Sequence, residues 1–404
     1  MKILVVCQHY WPETFQITDV CEELVKRGHE VTALVGLPNY PKGEVLPEYR
    51  NGKNRFQTRN GVKIIRSFEI GRGHNPLTLA INYYSFALSA SHIAKRLEDD
   101  FDLVFVYQLS PVLMCLPGLA YVKRHHVPLV IYCCDLWPES MKVILGNHLK
   151  CVLDYYGRVS RKIYSKADKL LVQSPSFLEY FEKVHGISCK AMEYIPHFAT
   201  GQVSSSLGIA PHDNINFFIT GNIGRAQDVP VILKAVKAMQ IKEGFLVHFV
   251  GEGPCLQSAV DFVKKNALGD RIIFHGKHPV EKMKDFYAVA DAFILTLNGE
   301  TWVGTTIPSR LQGYMNVGRP ILAAINGGAR CVIEQSKCGA CVPAGDFLAL
   351  AKLMDDFIKN PKEYAECGDN GKKYFELNFS KERFLDSIQR VFKEVCGRET
   401  NVCE

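Results

Sequence analysis

The sequence predicts an α/β fold built from two Rossmann-like halves, each a parallel β-sheet covered by helices. Short apolar runs, typical of buried strands, alternate with longer helix-like segments along most of the chain. A polar stretch rich in glycine and serine, residues 199–208, separates the runs into two series. A chain of 404 residues with 47% apolar residues is long enough for two domains with separate cores.

The first series of apolar runs predicts six strands of one sheet. They lie at residues 3–7, 31–35, 62–65, 103–107, 129–133 and 170–172. The second series predicts five strands of a second sheet. They lie at residues 215–219, 245–250, 271–274, 292–296 and 320–324. Because longer periodic segments separate these short runs, both sheets are expected to be parallel.

The last part of the chain shows apolar residues at three-to-four-residue spacing, which predicts helices. They lie at residues 346–358, 361–377 and 381–395. The predicted organisation is a first domain at residues 1–199, a linker at 200–213, a second domain at 214–380, and a C-terminal helix and tail at 381–404.

Composition argues against several classes of protein. The N-terminal apolar run stops at Gln8 without a cleavage site, so it predicts a buried strand and not a signal peptide. The longest apolar stretch, residues 103–122, contains Gln108, Pro111 and Pro117, which disfavour a membrane-spanning helix. Fourteen cysteines without an export signal predict a reducing compartment and free thiols. Most of the net charge of +6 lies in the first half, which is expected beside anionic lipid or phosphate.

The turns after the strands are the places to search for a site, because open α/β sheets bind ligands outside the carboxyl ends of their strands. The first turn, residues 7–16, carries aromatic rings, Pro12, Glu13 and Gln16 where a dinucleotide-binding fold would carry three glycines. Nicotinamide binding is therefore not predicted. The alternative is a long surface loop with some buried rings.

The turn after residues 129–133 places two carboxylates, Asp135 and Glu139, four residues apart around a Trp-Pro bend. Such groups could bind ligand hydroxyls or act as acid or base. The alternative for Glu139 is that it charges the first turn of the following helix. Asp135 is the stronger functional candidate.

Two segments of the second half are suited to an anion. Gly221 and Arg225 lie between a strand and a helix, where backbone amides and a guanidinium would meet phosphate oxygens. A later segment carries hydroxyls and a cation at a helix start: Thr305, Thr306, Ser309 and Arg310. The alternatives are a tight turn with a solvated Arg225 and a plain N-cap by Ser309.

The spacing of Cys338 and Cys341 would suit a metal site or a redox pair. No second pair accompanies them, and the segment is rich in glycine, so it is interpreted as a turn. No metal site and no cofactor are predicted.

Several segments in order resemble the retaining glycosyltransferase family four, within a group associated with O-antigen and capsule assembly. The resemblance covers roughly residues 1–395. Its most specific segments are residues 10–13, 27–32, 36–43, 135–140, 221–225, 308–311 and 318–320. The resemblance implies a GT-B fold: two Rossmann-like lobes face each other across a cleft, and a C-terminal helix crosses back to the first lobe. It places the acceptor on the first lobe and the nucleotide sugar mainly on the second, with no required metal.

The resemblance assigns roles to the candidate residues. Asp135 and Glu139 are the expected catalytic residues. The expected donor-binding residues are Gly221, Asn222, Arg225, Gly276, Thr305, Thr306, Ser309 and Arg310. The chain departs from the family pattern at four places: Asn222 and Gln227 stand where many members carry Arg and Lys, and Thr305 and Gly313 stand near the places of two glutamates.

A basic stretch, residues 53–72, has Glu69 as its opposing acid and precedes an apolar helix-like segment at 77–97. This arrangement predicts attachment to an anionic lipid surface. The alternative is a core helix preceded by a solvated loop. The expected acceptor and membrane residues are Glu13, Gln16, Arg59, Arg66 and Arg72.

The predicted function is transfer of a hexosyl or N-acetylhexosaminyl unit, with retention, from a nucleotide diphosphate donor. A UDP-sugar is the expected donor, and a polyprenyl-diphosphate-linked oligosaccharide of O-antigen or capsule synthesis is the expected acceptor. The expected location is the inner face of the cell membrane, with no nucleic-acid partner. Two alternatives stay open: a sugar-nucleotide epimerase of the same fold, and a non-catalytic partner in a polysaccharide assembly complex.

Overall fold

The computed structural model describes residues 1–145, 149–199 and 213–397. The chain forms two compact units: one comprises Met1–Ile195 together with the chain from Phe384 onward, and the other lies within Pro196–Arg383. Of the predicted linker, residues 200–212 lie outside the described residues, as do residues 398–404 of the predicted tail.

The first unit contains an eight-stranded sheet in the order β3-β4-β2-β1-β5-β6-β7-β8. The strands are β1 Lys2–Cys7, β2 Glu30–Val35, β3 Phe56–Arg59, β4 Val62–Arg66, β5 Leu103–Gln108, β6 Leu129–Cys133, β7 Lys169–Val172 and β8 Met192–Tyr194. All neighbours are parallel except β3 and β4, which are antiparallel. In the centre, Val5 lies between Ala33 and Phe105. The central strands are apolar on both faces because helices cover both faces.

Seven helices of the described chain belong to this unit. They are α1 Ile17–Lys26, α2 Pro76–Ala94, α3 Leu116–His125, α4 Glu139–Leu145, α5 Lys150–Tyr164, α6 Pro175–Tyr180 and, from Phe384 onward, α14 Lys381–Gly397. The ring of Phe392 on α14 lies 5.1 Å from that of Phe105 on β5. Asp386 pairs with Arg27 at 2.5 Å. The C-terminal helix therefore returns to the first half of the chain, as predicted.

The second unit contains a six-stranded, fully parallel sheet in the order β11-β10-β9-β12-β13-β14. The strands are β9 Ile215–Thr220, β10 Phe245–Val250, β11 Ile272–Gly276, β12 Ala292–Thr296, β13 Ile321–Ala324 and β14 Gly339–Val342. The helices are α7 Val229–Ala238, α8 Leu256–Lys265, α9 Met283–Ala288, α10 Ser309–Val317, α11 Gly327–Ser336, α12 Phe347–Lys359 and α13 Cys367–Asn378. Two parallel sheets in two α/β units confirm the predicted fold class.

Three strands were not predicted from the sequence. They are β3, β8 and β14, which are each three or four residues long and lie at sheet edges. Such short runs carry little periodicity. The interpretation of residues 338–341 as a turn was wrong, because Gly339 begins β14. A Cβ on Gly339 would lie 1.9 Å from the carbonyl oxygen of Ile321, so glycine permits this close strand packing.

The predicted helix at residues 361–377 is divided in the structure. A 3₁₀ turn, Pro361–Tyr364, precedes α13. The Tyr364 hydroxyl donates to Asp356 on α12 at 2.9 Å, which holds this turn against the preceding helix.

Candidate active site

The sheet of the second unit has its topological switch point at β9 and β12, where ligands of open α/β sheets bind. The turns that follow these two strands are bonded to each other. The Thr296 hydroxyl donates to the carbonyl oxygen of Gln227 at 2.5 Å, and the backbone amide of Asn298 donates to the carbonyl oxygen of Ala226 at 3.0 Å. The turn that contains Arg225 therefore lies beside the carboxyl end of β12.

Three glycines let neighbouring turns approach closely at this edge. Gly221 has φ +101°, Gly251 has φ +152° and Gly276 has φ +74°. A Cβ on Gly251 would lie 1.9 Å from the carbonyl oxygen of Gly221, and the Gly251 amide donates to the Gly276 carbonyl at 2.8 Å. The structure thus brings the predicted Gly221 and Gly276 to one edge through Gly251.

Helix α10 is tied to the turn after β9. The Arg310 guanidinium donates through Nη2 to the carbonyl oxygen of Asn222 at 3.0 Å. The Tyr314 hydroxyl accepts from the amide of Thr220 at 2.8 Å. The structure therefore brings together three of the predicted donor-binding residues: Arg310, Asn222 and Gly221. The sequence did not single out Tyr314, although a tyrosine one helical turn after Arg310 was the signal that could have identified it.

The start of α10 is open to a ligand. Ser309 is its first residue, Pro308 occupies the N-cap position, and no side chain in the described part of the chain caps it. The alternative that Ser309 caps this helix was wrong. Backbone amides at a helix start, together with a serine hydroxyl, are suited to bind an anion. Thr306 lies at the end of the preceding 3₁₀ turn, while the Thr305 hydroxyl donates to the Trp302 carbonyl at 2.8 Å.

Arg225 is exposed on the turn between β9 and α7. An exposed guanidinium at this position is compatible with phosphate binding and equally with the alternative of a solvated side chain in a tight turn. Gln227, one of the family departures, and Gln312, the neighbour of the departure at Gly313, each keep a buried side-chain oxygen that has no partner among the described residues. The amide nitrogen of Gln312 donates to the His197 carbonyl at 2.6 Å.

In the first unit, Asp135 belongs to a chain of side-chain hydrogen bonds. The indole of Trp137 donates to the Ser110 hydroxyl at 2.9 Å, and that hydroxyl donates to Oδ2 of Asp135 at 2.8 Å. Burial raises the pKa of the Asp135 carboxyl above its ordinary value, and the Ser110 contact partly opposes this change. Ser110 was missed by the sequence, since only the fold brings the turn after β5 beside the turn after β6.

Glu139 begins α4 and is buried. Its carboxylate pairs with Lys142 at 2.7 Å, one helical turn later. This geometry matches the alternative in which Glu139 charges a helix start. It leaves Asp135 as the better-placed of the two predicted catalytic carboxylates.

Glu13 holds a loop in place. Its Oε1 accepts from the backbone amides of Asn39 and Tyr40 at 2.7 and 2.6 Å, and its Oε2 lies 2.9 Å from Nδ1 of His9. Gln16 occupies the N-cap position of α1 and is half-buried. The alternative of a plain surface loop therefore fails for Glu13, which is 7% exposed.

The three predicted cations of the first unit differ in accessibility. Arg66 is 2% exposed, and its guanidinium donates to the Trp11 carbonyl at 2.6 Å, so its prediction as a membrane-facing residue was wrong. Arg59 pairs with Glu22 at 2.9 Å. Arg72 lies 5.1 Å from the ring centre of Tyr40.

The Tyr83 hydroxyl lies within electrostatic range of both Arg72 and the predicted catalytic carboxylate, Asp135. Burial raises the pKa of the Tyr83 hydroxyl, the positive charge of Arg72 lowers it in part, and the Asp135 carboxylate raises it further. The Tyr83 ring also packs edge-on against Trp137 with 6.2 Å between ring centroids, so Tyr83 lies beside the turn that carries Asp135.

Helix α2 has two apolar faces. One face is buried and includes Phe86 and Ala90. The other forms an exposed apolar surface with the preceding segment: Phe68, Ile70, Leu77, Ile81, Tyr84 and Leu88. The predicted core-helix alternative therefore describes half of the helix. Among the described residues, no helix is long and apolar enough to cross a membrane.

Both units match known families. Residues 15–199 match the model of Glycosyltransferase Family 4, and residues 205–374 match that of Glycosyl transferases group 1. N-acetyl-alpha-D-glucosaminyl L-malate synthase of Bacillus anthracis is 20% identical over 390 residues, which are 95% of this chain and 94% of that protein. The putative colanic acid biosynthesis glycosyltransferase WcaL of Salmonella typhimurium is 25% identical over 152 residues, 37% of each chain.

A solved structure shows the same fold. The HepE protein of Anabaena in complex with UDP superposes with a TM-score of 0.69 at 15% identity, covering 98% of this chain and 100% of that chain. The two family models, one for each half, and this shared architecture confirm the predicted GT-B fold. The chain is a glycosyltransferase of the GT-B type, with a Glycosyltransferase Family 4 half followed by a Glycosyl transferases group 1 half.

Proposed function

We propose that this protein transfers a sugar, with retention of configuration, from a UDP-sugar to a lipid-linked saccharide acceptor in polysaccharide synthesis. The observation that carries the proposal is the contact of Arg310 with the turn of Gly221 and Asn222 at the start of α10. The UDP complex of HepE supports the choice of nucleotide. The match to WcaL supports polysaccharide synthesis.

In this proposal the second unit, in residues 214–380, binds the donor. The diphosphate lies against the amides at the start of α10, where Ser309 and Thr306 offer hydroxyls and Arg310 offers a guanidinium. Arg225 adds a second, exposed cation from the neighbouring turn. These groups stabilise the negative charge that develops on the leaving diphosphate as the bond to the sugar breaks.

The predicted first domain, residues 1–199, binds the acceptor. Asp135 faces the reacting sugar or the acceptor hydroxyl, and Ser110 and Trp137 fix the position of its carboxylate. A carboxyl with a raised pKa is suited to exchange a proton with a hydroxyl near neutral pH. Because retention can proceed by displacement on one face of the sugar, assisted by the leaving phosphate, no covalent nucleophile is assigned.

The exposed apolar surface of α2 holds the enzyme at the membrane that carries the acceptor lipid. Leu77 and Leu88 are 70% and 69% exposed, and burying such side chains in lipid contributes about 1.5–3 kcal/mol each. Arg72 lies just before this helix and beside Tyr40, where it can meet anionic lipid or the acceptor diphosphate. We place the protein at the inner face of the cell membrane on these grounds.

Thermal-shift binding to a panel of UDP-, GDP- and dTDP-sugars tests the proposal. UDP-sugars are expected to stabilise the wild-type protein and to stabilise Arg225→Ala less, while Arg383→Ala, an exposed arginine on α14, responds like wild type. Stabilisation by another nucleotide class would overturn the donor assignment. Absence of any binding would favour the non-catalytic partner, and conversion of the donor without acceptor would favour the epimerase.

A further inference from the structure

Glu69 is a buried carboxylate that the proposed mechanism does not use. It follows β4 by three residues, is 2% exposed, and accepts four hydrogen bonds. A carboxylate in the protein interior is costly unless each lone pair is matched by a donor. The four donors come from three separate segments of the first unit, so Glu69 joins segments that are distant in sequence.

Two donors belong to the loop of residues 36–43. The backbone amide of Leu37 donates to Oε2 of Glu69 at 3.1 Å, and the side-chain amide of Asn39 donates to Oε1 at 3.0 Å. A Cβ on Gly36 would lie 1.8 Å from Oε2, so glycine makes room for the carboxylate. The third donor, Gln8, lies in the turn after β1 at 2.8 Å.

The same loop presents Tyr40 next to the residues assigned to the acceptor. Glu13 accepts from the backbone amides of Asn39 and Tyr40, so Glu69 and Glu13 hold adjoining parts of the loop. The Tyr40 ring, which is 45% exposed, packs edge-on against Phe15 at 5.3 Å and lies under Arg72. Glu69 therefore holds Asn39, whose side-chain oxygen accepts from the backbone amide of Arg72 at 3.2 Å and which directly precedes Tyr40.

The fourth donor lies on α2. The side-chain amide of Asn82 donates to Oε1 of Glu69 at 2.5 Å and to the Ile70 carbonyl at 2.6 Å. Asn82 is buried on the helix whose other side exposes Leu77, Ile81 and Leu88. Glu69 thus connects the exposed apolar helix directly with the loop that carries Tyr40.

We propose that Glu69 is a positioning residue that couples lipid contact at α2 to the 36–43 loop and so orders the acceptor-binding side of the first unit. The inference rests on the membrane association in the proposed function. Contact with lipid restrains α2, Asn82 restrains the carboxylate, and the carboxylate restrains Leu37 and Asn39. Because all four partners donate, a carboxylate suits this place and a side-chain amide does not.

Hydrogen–deuterium exchange of the full chain at about pH 8, where Glu69 is mostly ionised, with and without vesicles of phosphatidylglycerol and phosphatidylethanolamine, tests the coupling. In wild type, vesicles are expected to slow exchange in α2 and, by about fivefold, in the 36–43 loop. In Glu69→Gln, vesicles are expected to slow exchange in α2 alone. Asn82→Ala, which removes the α2 end of the link and leaves the carboxylate in place, is expected to behave in the same way.

Ser89→Ala is the matched control, because the Ser89 hydroxyl joins α2 to the Phe68 carbonyl without touching Glu69. It is expected to respond like wild type. Loop protection that persists in Glu69→Gln and Asn82→Ala would overturn the coupling while leaving the proposed function intact. Absence of α2 protection in wild type would overturn the membrane association and, with it, the coupling.

Discussion

The guanidinium of Arg310 donates to the carbonyl oxygen of Asn222 across 88 residues of sequence, at a distance of 3.0 Å. The contact joins the start of α10 to the turn after β9, the two segments that the sequence singled out for phosphate. Because this contact already restrains the Arg310 side chain, binding a diphosphate there costs little further side-chain conformational entropy.

Arg310→Ala is expected to weaken binding of UDP by about 10–100-fold, since a hydrogen bond to a charged group contributes about 1.5–3 kcal/mol. Titration calorimetry with UDP measures the effect. Arg383→Ala controls for the loss of a positive charge elsewhere on the surface and should leave the affinity within about twofold. Unchanged affinity in Arg310→Ala would remove this residue from the donor site.

Ser110→Ala is expected to lower the transfer rate by about tenfold or more, because it removes the donor that fixes Oδ2 of Asp135. It should also raise the pKa of the Asp135 carboxyl, so the acidic limb of the pH–rate profile moves to higher pH. The control is Ser140→Ala, whose hydroxyl bonds the Leu136 carbonyl in the same turn. An unshifted pH profile in Ser110→Ala would contradict the positioning role.

Glu69 makes stability depend on pH. Burial raises the pKa of Glu69 to about 7 from 4.5, and His9 and the side-chain amides of Gln8, Asn82 and Asn39 only partly oppose this effect. Between these values the folded protein binds more protons than the unfolded chain, so the free energy of unfolding falls as pH rises, by up to about 3 kcal/mol. Glu69→Gln lacks this titration.

Denaturant unfolding of both proteins checks the pH dependence of stability. The stability of wild type relative to Glu69→Gln should be greater at about pH 5 than at about pH 8. A difference that stays constant over this range would show that the carboxyl does not titrate there.

Replacing both Leu77 and Leu88 by Gln is expected to reduce partition onto anionic vesicles by about tenfold or more. Both side chains are exposed, so the fold should be unaffected. Leu377→Gln is the matched control, because this residue is 66% exposed on α13 of the other unit. Equal sedimentation of the double variant and wild type with vesicles would place the membrane contact elsewhere.

The central strands could be predicted because they are buried on both faces and read as continuous apolar runs. The sequence also showed which turns to examine, because ligands of such sheets bind at the carboxyl ends of strands. These are the glycine turns, the hydroxyls before α10 and the turn of Asp135. The edge strands β3, β8 and β14 could not be predicted, because three or four residues are too few to show a periodic pattern of apolar side chains.

The sequence by itself determined the two α/β halves and the places where chemistry could occur, because apolar patterning and turn residues are local properties of the chain. The return of the C-terminal helix was expected only from the family resemblance. Only the tertiary structure decided which polar groups are used internally. Arg66 and Glu69 occur in one basic stretch, yet both are buried and bonded to backbone or side-chain groups from other segments. Ser110 likewise meets Asp135 only because β5 and β6 are neighbours. Such contacts depend on the order of strands in the sheet, which no short segment encodes.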